Sequence, residues 1–372
     1  MTGNNLELSQ FLDDDRFHRT FTLPIGPGRS EEFKVTYSDF GYQNPENPGS
    51  ERVLLFCGPL MGSRFLFIAK DKLAKQYGVR VINADRPGFG GTSKVEMQDR
   101  VRVWLEIVPA LLQHLGIAHV SIAAHSCGAV YAVNTLLHLR HLLHPTRPYV
   151  AFCAPWVHPS HSGVSLLKLA HVLPDSLVGS FDRIVNFFQA SVNPAIQSSS
   201  GLIGKISASR EEREFLAPGV DPADVEFEEN LHQELFRRIN AESIQGLGQD
   251  SLLLLKRTDD PEFWGTELDY DKLVPRLAKT ESELNAGTTD AAAAAATTLP
   301  LRVDVFFAES DIIIGTGAAR QWFDDCWRAE QRGERITYSS AVVPKSNHDN
   351  LLDLRYGVPE RIFQAMGGPK ST

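Results

Sequence analysis

The sequence predicts an α/β protein built on a mostly parallel central sheet with helices on both faces. Three observations carry that prediction. Between Arg52 and Cys153, short apolar runs suited to buried strands alternate with longer amphipathic stretches. At Val120 to Val133 a strand-like run passes into a helical pattern through His125-Ser126-Cys127-Gly128. After a long helical middle, the alternation resumes at Leu299 and closes in a histidine-bearing loop at His348.

Taken in order, Arg16 to Leu23 and Glu32 to Tyr42 read as strands joined at Gly26-Pro27-Gly28, an antiparallel opening. A Pro/Asn/Gly loop follows, then a buried strand at Arg52 to Cys57 and a helix to about Tyr77. Val79 to Ala84 is the next buried strand. Glu96 to Leu115 is a long amphipathic helix, with Val101, Trp104, Leu105, Val108 and Leu112 on one side. The strand at Val120 to Ala123 leads into a helix expected to continue toward His144, and Pro148 to Cys153 is a further strand. From Trp156 to Thr298 the patterns are helical, at Ser165 to Leu173, Leu177 to Ser191, Arg210 to Phe215, Glu228 to Ile239 and Ile244 to Lys256. Residues 279–298, with Thr288-Thr289-Asp290 and the alanine run Ala291 to Ala296, read as a low-complexity, solvated loop. Leu299 to Ala308 is a strand closed by Glu309-Ser310-Asp311. A helix from Gly317 to Gln331, a last strand from Ile336 to Val343 and a final helix from Asn350 to Met366 complete the chain.

The turn at Ser126 has Ala124 two residues before it and Gly128 two after, the places where strand and helix backbones nearly touch. Such a turn lifts a serine hydroxyl above the sheet and aims the free N–H groups of a helix start at the reacting oxygen. A plain helix-capping serine would leave the same local string, so the rest of the chain decides. The pattern resembles the nucleophile elbow of the α/β-hydrolase superfamily, with alanine where that family usually has glycine. The resemblance runs from about Phe21 to the C-terminus and is weakest in the middle third. It points to a serine-nucleophile, esterase- or lactonase-like member with a large helical cap inserted between strands six and seven. It implies a core of residues 1–155 and 299–372 around a cap of residues 156–298. The Glu262-Phe263-Trp264-Gly265 string resembles the return from cap to core.

The glycine-rich stretch Asp85-Arg86-Pro87-Gly88-Phe89-Gly90-Gly91-Thr92-Ser93 competes as a dinucleotide loop. Its third glycine is misplaced and Pro87 falls where a strand should still run. It resembles instead the turn after the fourth strand of the same superfamily, which implies a structural role.

Serine is a poor nucleophile without a base, and histidine needs a carboxylate behind it to fix its tautomer. Ser126, Asp311 and His348 each follow a strand-like run, in the order Ser, Asp, His that the resemblance implies. They are the candidate catalytic residues. Asp304 lies within its strand, Asp324 and Asp325 lie along a helix, and His125 should point away from the serine hydroxyl. His158 and His161 open the cap, with no metal-binding spacing around them. The oxyanion hole implied by the resemblance needs two N–H groups. One is expected from Cys127 and the other from the Cys57 to Arg64 loop. There Pro59 has no N–H, so Leu60 is the candidate, with Met61 next in line.

With 37 basic against 46 acidic residues the net charge is −9, and no basic cluster appears. Nucleic acid and an anionic membrane surface are excluded as main partners. Four scattered cysteines offer neither metal spacing nor a disulfide pattern, so no metal and no cofactor is expected. No apolar run has membrane-spanning length and the polar N-terminus lacks a signal pattern, so a cytoplasmic protein without stable membrane insertion is expected. Homo-oligomerisation stays open. The expected partner is a hydrophobic small molecule whose ester, lactone or related acyl bond is cleaved through an acyl-enzyme. Epoxide hydrolases and dehalogenases of this resemblance use aspartate as nucleophile, which Ser126 replaces here. The alternatives are acyl transfer or a non-hydrolytic biosynthetic reaction in the same pocket, or a ligand-binding protein on a hydrolase fold.

Overall fold

The computed structural model describes residues 3–26, 29–47, 51–164, 214–255, 269–286 and 299–367. Its strands are β1 (Arg19–Leu23), β2 (Phe33–Gly41), β3 (Arg52–Cys57), β4 (Val79–Ala84), β5 (Phe89–Gly90), β6 (Ser121–His125), β7 (Tyr149–Cys153), β8 (Ser243–Ile244), β9 (Leu301–Ser310) and β10 (Ile336–Asn347). Eight of them form one sheet in the order β1-β2-β4-β3-β6-β7-β9-β10. β2 pairs antiparallel with both β1 and β4, and every other neighbour pair is parallel. β5 and β8 form a separate two-stranded antiparallel ribbon.

The helices are α1 (Gly3–Leu12), α2 (Asp71–Gln76), α3 (Arg100–His114), α4 (Gly128–His138), α5 (Pro159–Ser162), α6 (Pro222–Ala241), α7 (Gly246–Leu254), α8 (Tyr270–Ala286), α9 (Ala318–Cys326), α10 (Ala329–Arg332) and α11 (Val358–Ala365). Every residue of β4, β6 and β7 is buried, because parallel strands are covered on both faces and so read as unbroken apolar runs. α3 buries Val101, Trp104, Val108 and Leu112 of the expected stripe, with Ile107 and Leu111 beside them, while Leu105 is half-buried.

Several boundaries differ from the expected ones. α4 stops at His138 and a 3-10 turn at Arg140–Leu142 follows, so His141 lies in that turn and His144 in no helix. The helix expected through Gln331 is two, α9 and α10, broken at Trp327 and Arg328. The final helix starts only at Val358, after Gly357 takes a left-handed φ of 66° and before Pro359 fixes the first turn. The acidic N-terminus holds α1, and residues 279–286 of the expected solvated loop continue α8. α8 packs, since Leu273, Val274 and Leu277 are buried and Arg140 pairs with Glu281.

Among the described residues of the span 156–298, expected to be an insertion, α6 buries Leu231, Leu235 and Ile239. Its Phe227 ring meets Phe11 of α1 edge-on at 5.2 Å. Glu228 is buried against Lys70 and accepts the Leu354 N–H at 2.6 Å. α7 is docked backbone to backbone: Gly246 N–H donates to Gly88 O at 2.9 Å beside the β5–β8 ladder. The helices expected at Ser165 to Leu173 and Leu177 to Ser191, the Glu262 to Gly265 string and the alanine run lie outside the described residues. Among the described residues no helix is long and apolar enough to cross a membrane.

A Cβ at Gly246 would stand 2.4 Å from Pro87 O and 2.6 Å from the Phe89 ring. Gly246→Ala should therefore cost about 1–3 kcal/mol, as overpacking does, and lower the urea midpoint at unchanged slope. A midpoint equal to the parent's would mean that α7 does not press on this turn.

Candidate active site

Ser126 is the residue directly after β6 and takes φ of 52°, a left-handed conformation unusual for a residue with a side chain. Three backbone hydrogen bonds hold it there. Its N–H donates to Cys153 O at 3.0 Å, and its carbonyl accepts from Ala129 at 3.0 Å and Trp156 at 3.1 Å. α4 starts two residues later. A Cβ on Gly128 would lie 2.0 Å from Cys57 O, so glycine is required there by contact and not by backbone angle.

Asp311 directly follows β9 and His348 directly follows β10, so with Ser126 all three sit at the C-terminal edge of parallel strands. β10 reaches this edge by running past Val343 through an irregularity at which Lys345 has φ of 61°. His348 Nε2 lies 2.8 Å from Ser126 Oγ and Nδ1 lies 2.8 Å from Asp311 Oδ2. The other Asp311 oxygen accepts the N–H groups of Ile313 and Ile314 at 3.0 and 2.9 Å, which fixes the carboxylate plane. An ionised carboxylate only accepts, so Nδ1 carries the proton and Nε2 is free to accept from the serine hydroxyl. The sequence-derived candidates are thus brought together as one hydrogen-bonded chain, and all three are buried.

Charge follows geometry. Burial opposes ionisation of Asp311, but His348 and the two backbone donors outweigh it and its pKa is lowered. Burial likewise works against a charged His348, and Asp311 overcomes it, so the His348 pKa is raised above 6.5. His125 behaves oppositely: burial first, then the neighbouring His348, push its pKa down to about 3. Its Nε2–H donates to His348 O at 2.8 Å, so a neutral His125 holds the backbone of the histidine loop. His125 is thus turned to the histidine loop and not to the hydroxyl, as expected, and its partner lies 223 positions away, where no local pattern encodes it.

The loop after β3 carries Leu60, and α4 begins beside Cys127. Among the described residues the N–H groups of Leu60, Met61 and Cys127 donate to no other group. The Arg86 guanidinium, buried, donates to the carbonyls of Gly58, Pro59 and Leu60 and to Asp250. Burial pushes the Cys127 thiol up to about 12, which leaves it an uncharged packing group. All four cysteines are free and buried.

The competing residues are engaged elsewhere. Asp304 accepts from Ser339 at 2.7 Å and pairs with Arg302. Asp324 accepts from the Tyr338 hydroxyl, and Asp325 pairs with Arg328. His161 stacks on Trp322 at 4.0 Å and His158 caps α5. One group of metal-ligand types, Glu228, His232 and Asp353, occurs among the described residues. Both Glu228 oxygens are already taken, by the Lys70 ammonium and the Leu354 N–H. A cleft lined by Arg52, Val53, Val120 and His119 opens at the N-terminal ends of β3 and β6, the edge opposite the serine.

No protein-family model matches the chain, and no curated protein matches it. Solved structures do. An enol-lactonase from Burkholderia xenovorans LB400 is similar at TM-score 0.50 and 12% identity, covering 90% of this chain and 97% of that one. An epoxide hydrolase from Vigna radiata is similar at 0.51 and 13%, covering 94% and 98%. A membrane phospholipase A, a bacterial virulence factor, is similar at 0.53 and 12%, covering 97% and 89%. At such identities the likeness shows the fold, which is that of the α/β-hydrolases.

The two histidines should separate in a proton-detected titration. His348 should titrate above the usual imidazole value of about 6.5, and His125 should stay neutral to well below pH 5. Asp311→Asn should bring the His348 value down. A His348 value unmoved by that change would mean the carboxylate does not act on the ring.

Proposed function

We propose that this α/β-hydrolase-fold protein is a serine hydrolase that cleaves an ester, lactone or related acyl bond of a hydrophobic small molecule. The observation that carries the reading is the Ser126–His348–Asp311 chain, with 2.8 Å at both links. In the proposed reaction Ser126 Oγ attacks the carbonyl carbon while His348 Nε2 takes its proton. Asp311 keeps the ring in the accepting tautomer and stabilises the imidazolium. The carbonyl oxygen, now negative, is held by the N–H groups of Cys127 and Leu60. Collapse of the tetrahedral intermediate breaks the bond to the leaving oxygen, which receives the proton from His348. Water then attacks the Ser126 acyl ester, with His348 again as base, to release the acid and restore the serine.

Ser126 at the elbow favours this acyl chemistry over epoxide opening. Acyl transfer to an alcohol or amine would use the same first half-reaction, and product analysis with an added acceptor separates the two. The inserted helices are proposed as the cap over the substrate. Leu166, Leu169, Val185 and Phe188, of which some are expected to face the pocket and the others the core, lie outside the described residues.

A fluorophosphonate should label Ser126. Ser126→Ala should lose the label and lower kcat on aryl esters by on the order of 10⁴-fold or more. Labelling and turnover retained in Ser126→Ala would exclude the reading. The rate should also follow His348: protonated imidazole cannot accept the serine proton. kcat/KM should therefore fall with acidification through an apparent pKa above 6.5. A profile flat from acid to mildly alkaline pH would exclude a histidine base.

A further inference from the structure

We propose that Arg86 is the positioning residue of the oxyanion hole, and that Asp250 of the inserted segment holds Arg86 in place. The proposal rests on the serine-hydrolase reading above and deepens it. Arg86 is only 2% exposed, and its guanidinium is occupied on every side. Nη1 donates to Gly58 O at 2.6 Å, while Nη2 reaches Pro59 O, Leu60 O at 3.1 Å and Cys127 Sγ at 3.3 Å. Nε donates to Asp250 Oδ2 at 2.9 Å.

The described chain has no cis peptide bond, so in each peptide unit the N–H points opposite to the C=O. Pro59 C=O shares its unit with Leu60 N–H, and Leu60 C=O shares its unit with Met61 N–H. Gly58 C=O shares its unit with the proline nitrogen, which has no hydrogen. One planar cation that gathers these three carbonyls therefore turns the Leu60 and Met61 N–H groups to its far side. Neither donates to another described residue, and the turn is closed by Gly62 N–H on Pro59 O at 2.9 Å. The same guanidinium touches the side chain of Cys127, whose N–H is the other donor of the proposed hole. Both halves of the hole are thus referenced to one rigid group.

A buried guanidinium needs a counter-charge. Asp250 supplies it from α7, fully buried, and also accepts from Arg100 Nε at 2.5 Å and from the Tyr131 hydroxyl. Burial alone would neutralise Asp250, but Arg100 and Arg86 outweigh it and its pKa is lowered, so it stays ionised. The Gly88–Gly246 contact fixes α7 on the body. α7 therefore reaches the hole through one ion pair, Asp250–Arg86, and the hydrogen bonds of Arg86 to the loop carbonyls.

The test compares an aryl ester with its thionoester, whose C=S becomes a thiolate-like centre that accepts hydrogen bonds poorly. The ester-over-thionoester ratio of kcat reads the hole, while loss of the base lowers both substrates together. Removing one such donor outright costs on the order of 10²–10³ in kcat. Arg86→Gln, which only loosens the loop, should lower ester kcat by about 10–100-fold. KM should hold and the ratio should shrink with kcat. Arg86→Lys should recover part of the loss, and Asp250→Asn should move the ratio in the same direction. Asp311→Asn should slow both substrates and leave the ratio at the parent value. If Arg86→Gln fails to fold, Arg86→Lys and Asp250→Asn decide the matter alone. A parent that turns over neither substrate overturns the serine-hydrolase reading. An active parent whose ratio is unmoved in the Arg86 and Asp250 variants overturns the role of Arg86 only.

Discussion

The carbonyl oxygens of Cys57 and Gly58 press against Cα of Gly128, so closely that a Cβ there would stand 2.0 and 2.6 Å from them. That contact lets the end of β3 and the start of α4 share one space. It also leaves Ser126 a two-residue path between strand and helix, which the chain can follow only through a positive φ. A strained residue of this kind costs on the order of 1–3 kcal/mol and persists where its surroundings over-determine it. Here they do, because Cys153 of β7, Ala129 of α4 and Trp156 each hydrogen-bond the Ser126 backbone. The hydroxyl is therefore delivered to a fixed point, and the histidine and carboxylate at the ends of β10 and β9 have a stationary partner.

Around that point the packing is held by charges brought together from distant parts of the chain. Arg64 pairs with Asp85 and Glu242, Arg86 with Asp250, and Lys70 with Glu228. Apart from Arg64–Asp85, one partner in each case belongs to the α6–α7 segment and the other to the N-terminal part of the chain. Buried pairs add little net stability compared with apolar packing. Removing one partner is costly, about 3–5 kcal/mol, because the other is stranded. Such pairs fix the register of an inserted segment more than they glue it on. The glycine pair Gly88 and Gly246 does the same with backbone contact.

Much of this was legible in the sequence. β3 and β4 fall where the apolar runs Arg52 to Cys57 and Val79 to Ala84 fall, since buried parallel strands need unbroken apolar residues. The candidate triad residues were found because each follows such a run. β10 was read four residues too short, since the bend at Lys345 breaks the strand pattern before His348 is reached. α8 was missed because Pro275 lies inside it and much of its surface is polar. Arg86 was expected to be structural, and its partners Asp250 and Gly58 lie 164 and 28 positions away, where no local pattern encodes them. Long-range polar contacts are the part that a one-dimensional reading loses.

Rapid mixing of the protein with an activated aryl ester shows whether Ser126 becomes acylated. A burst of phenol equal to one per chain should appear, followed by slower turnover. Quenched protein should then carry the acyl mass on the peptide containing Ser126. A burst needs deacylation slower than acylation, and His348→Ala secures that condition, so it is the decisive sample. There deacylation loses its base, and an activated ester still acylates slowly. An acyl group accumulating on Ser126 in that variant is the predicted result. Accumulation on any other residue, or ester turnover undiminished in that variant, would contradict the account.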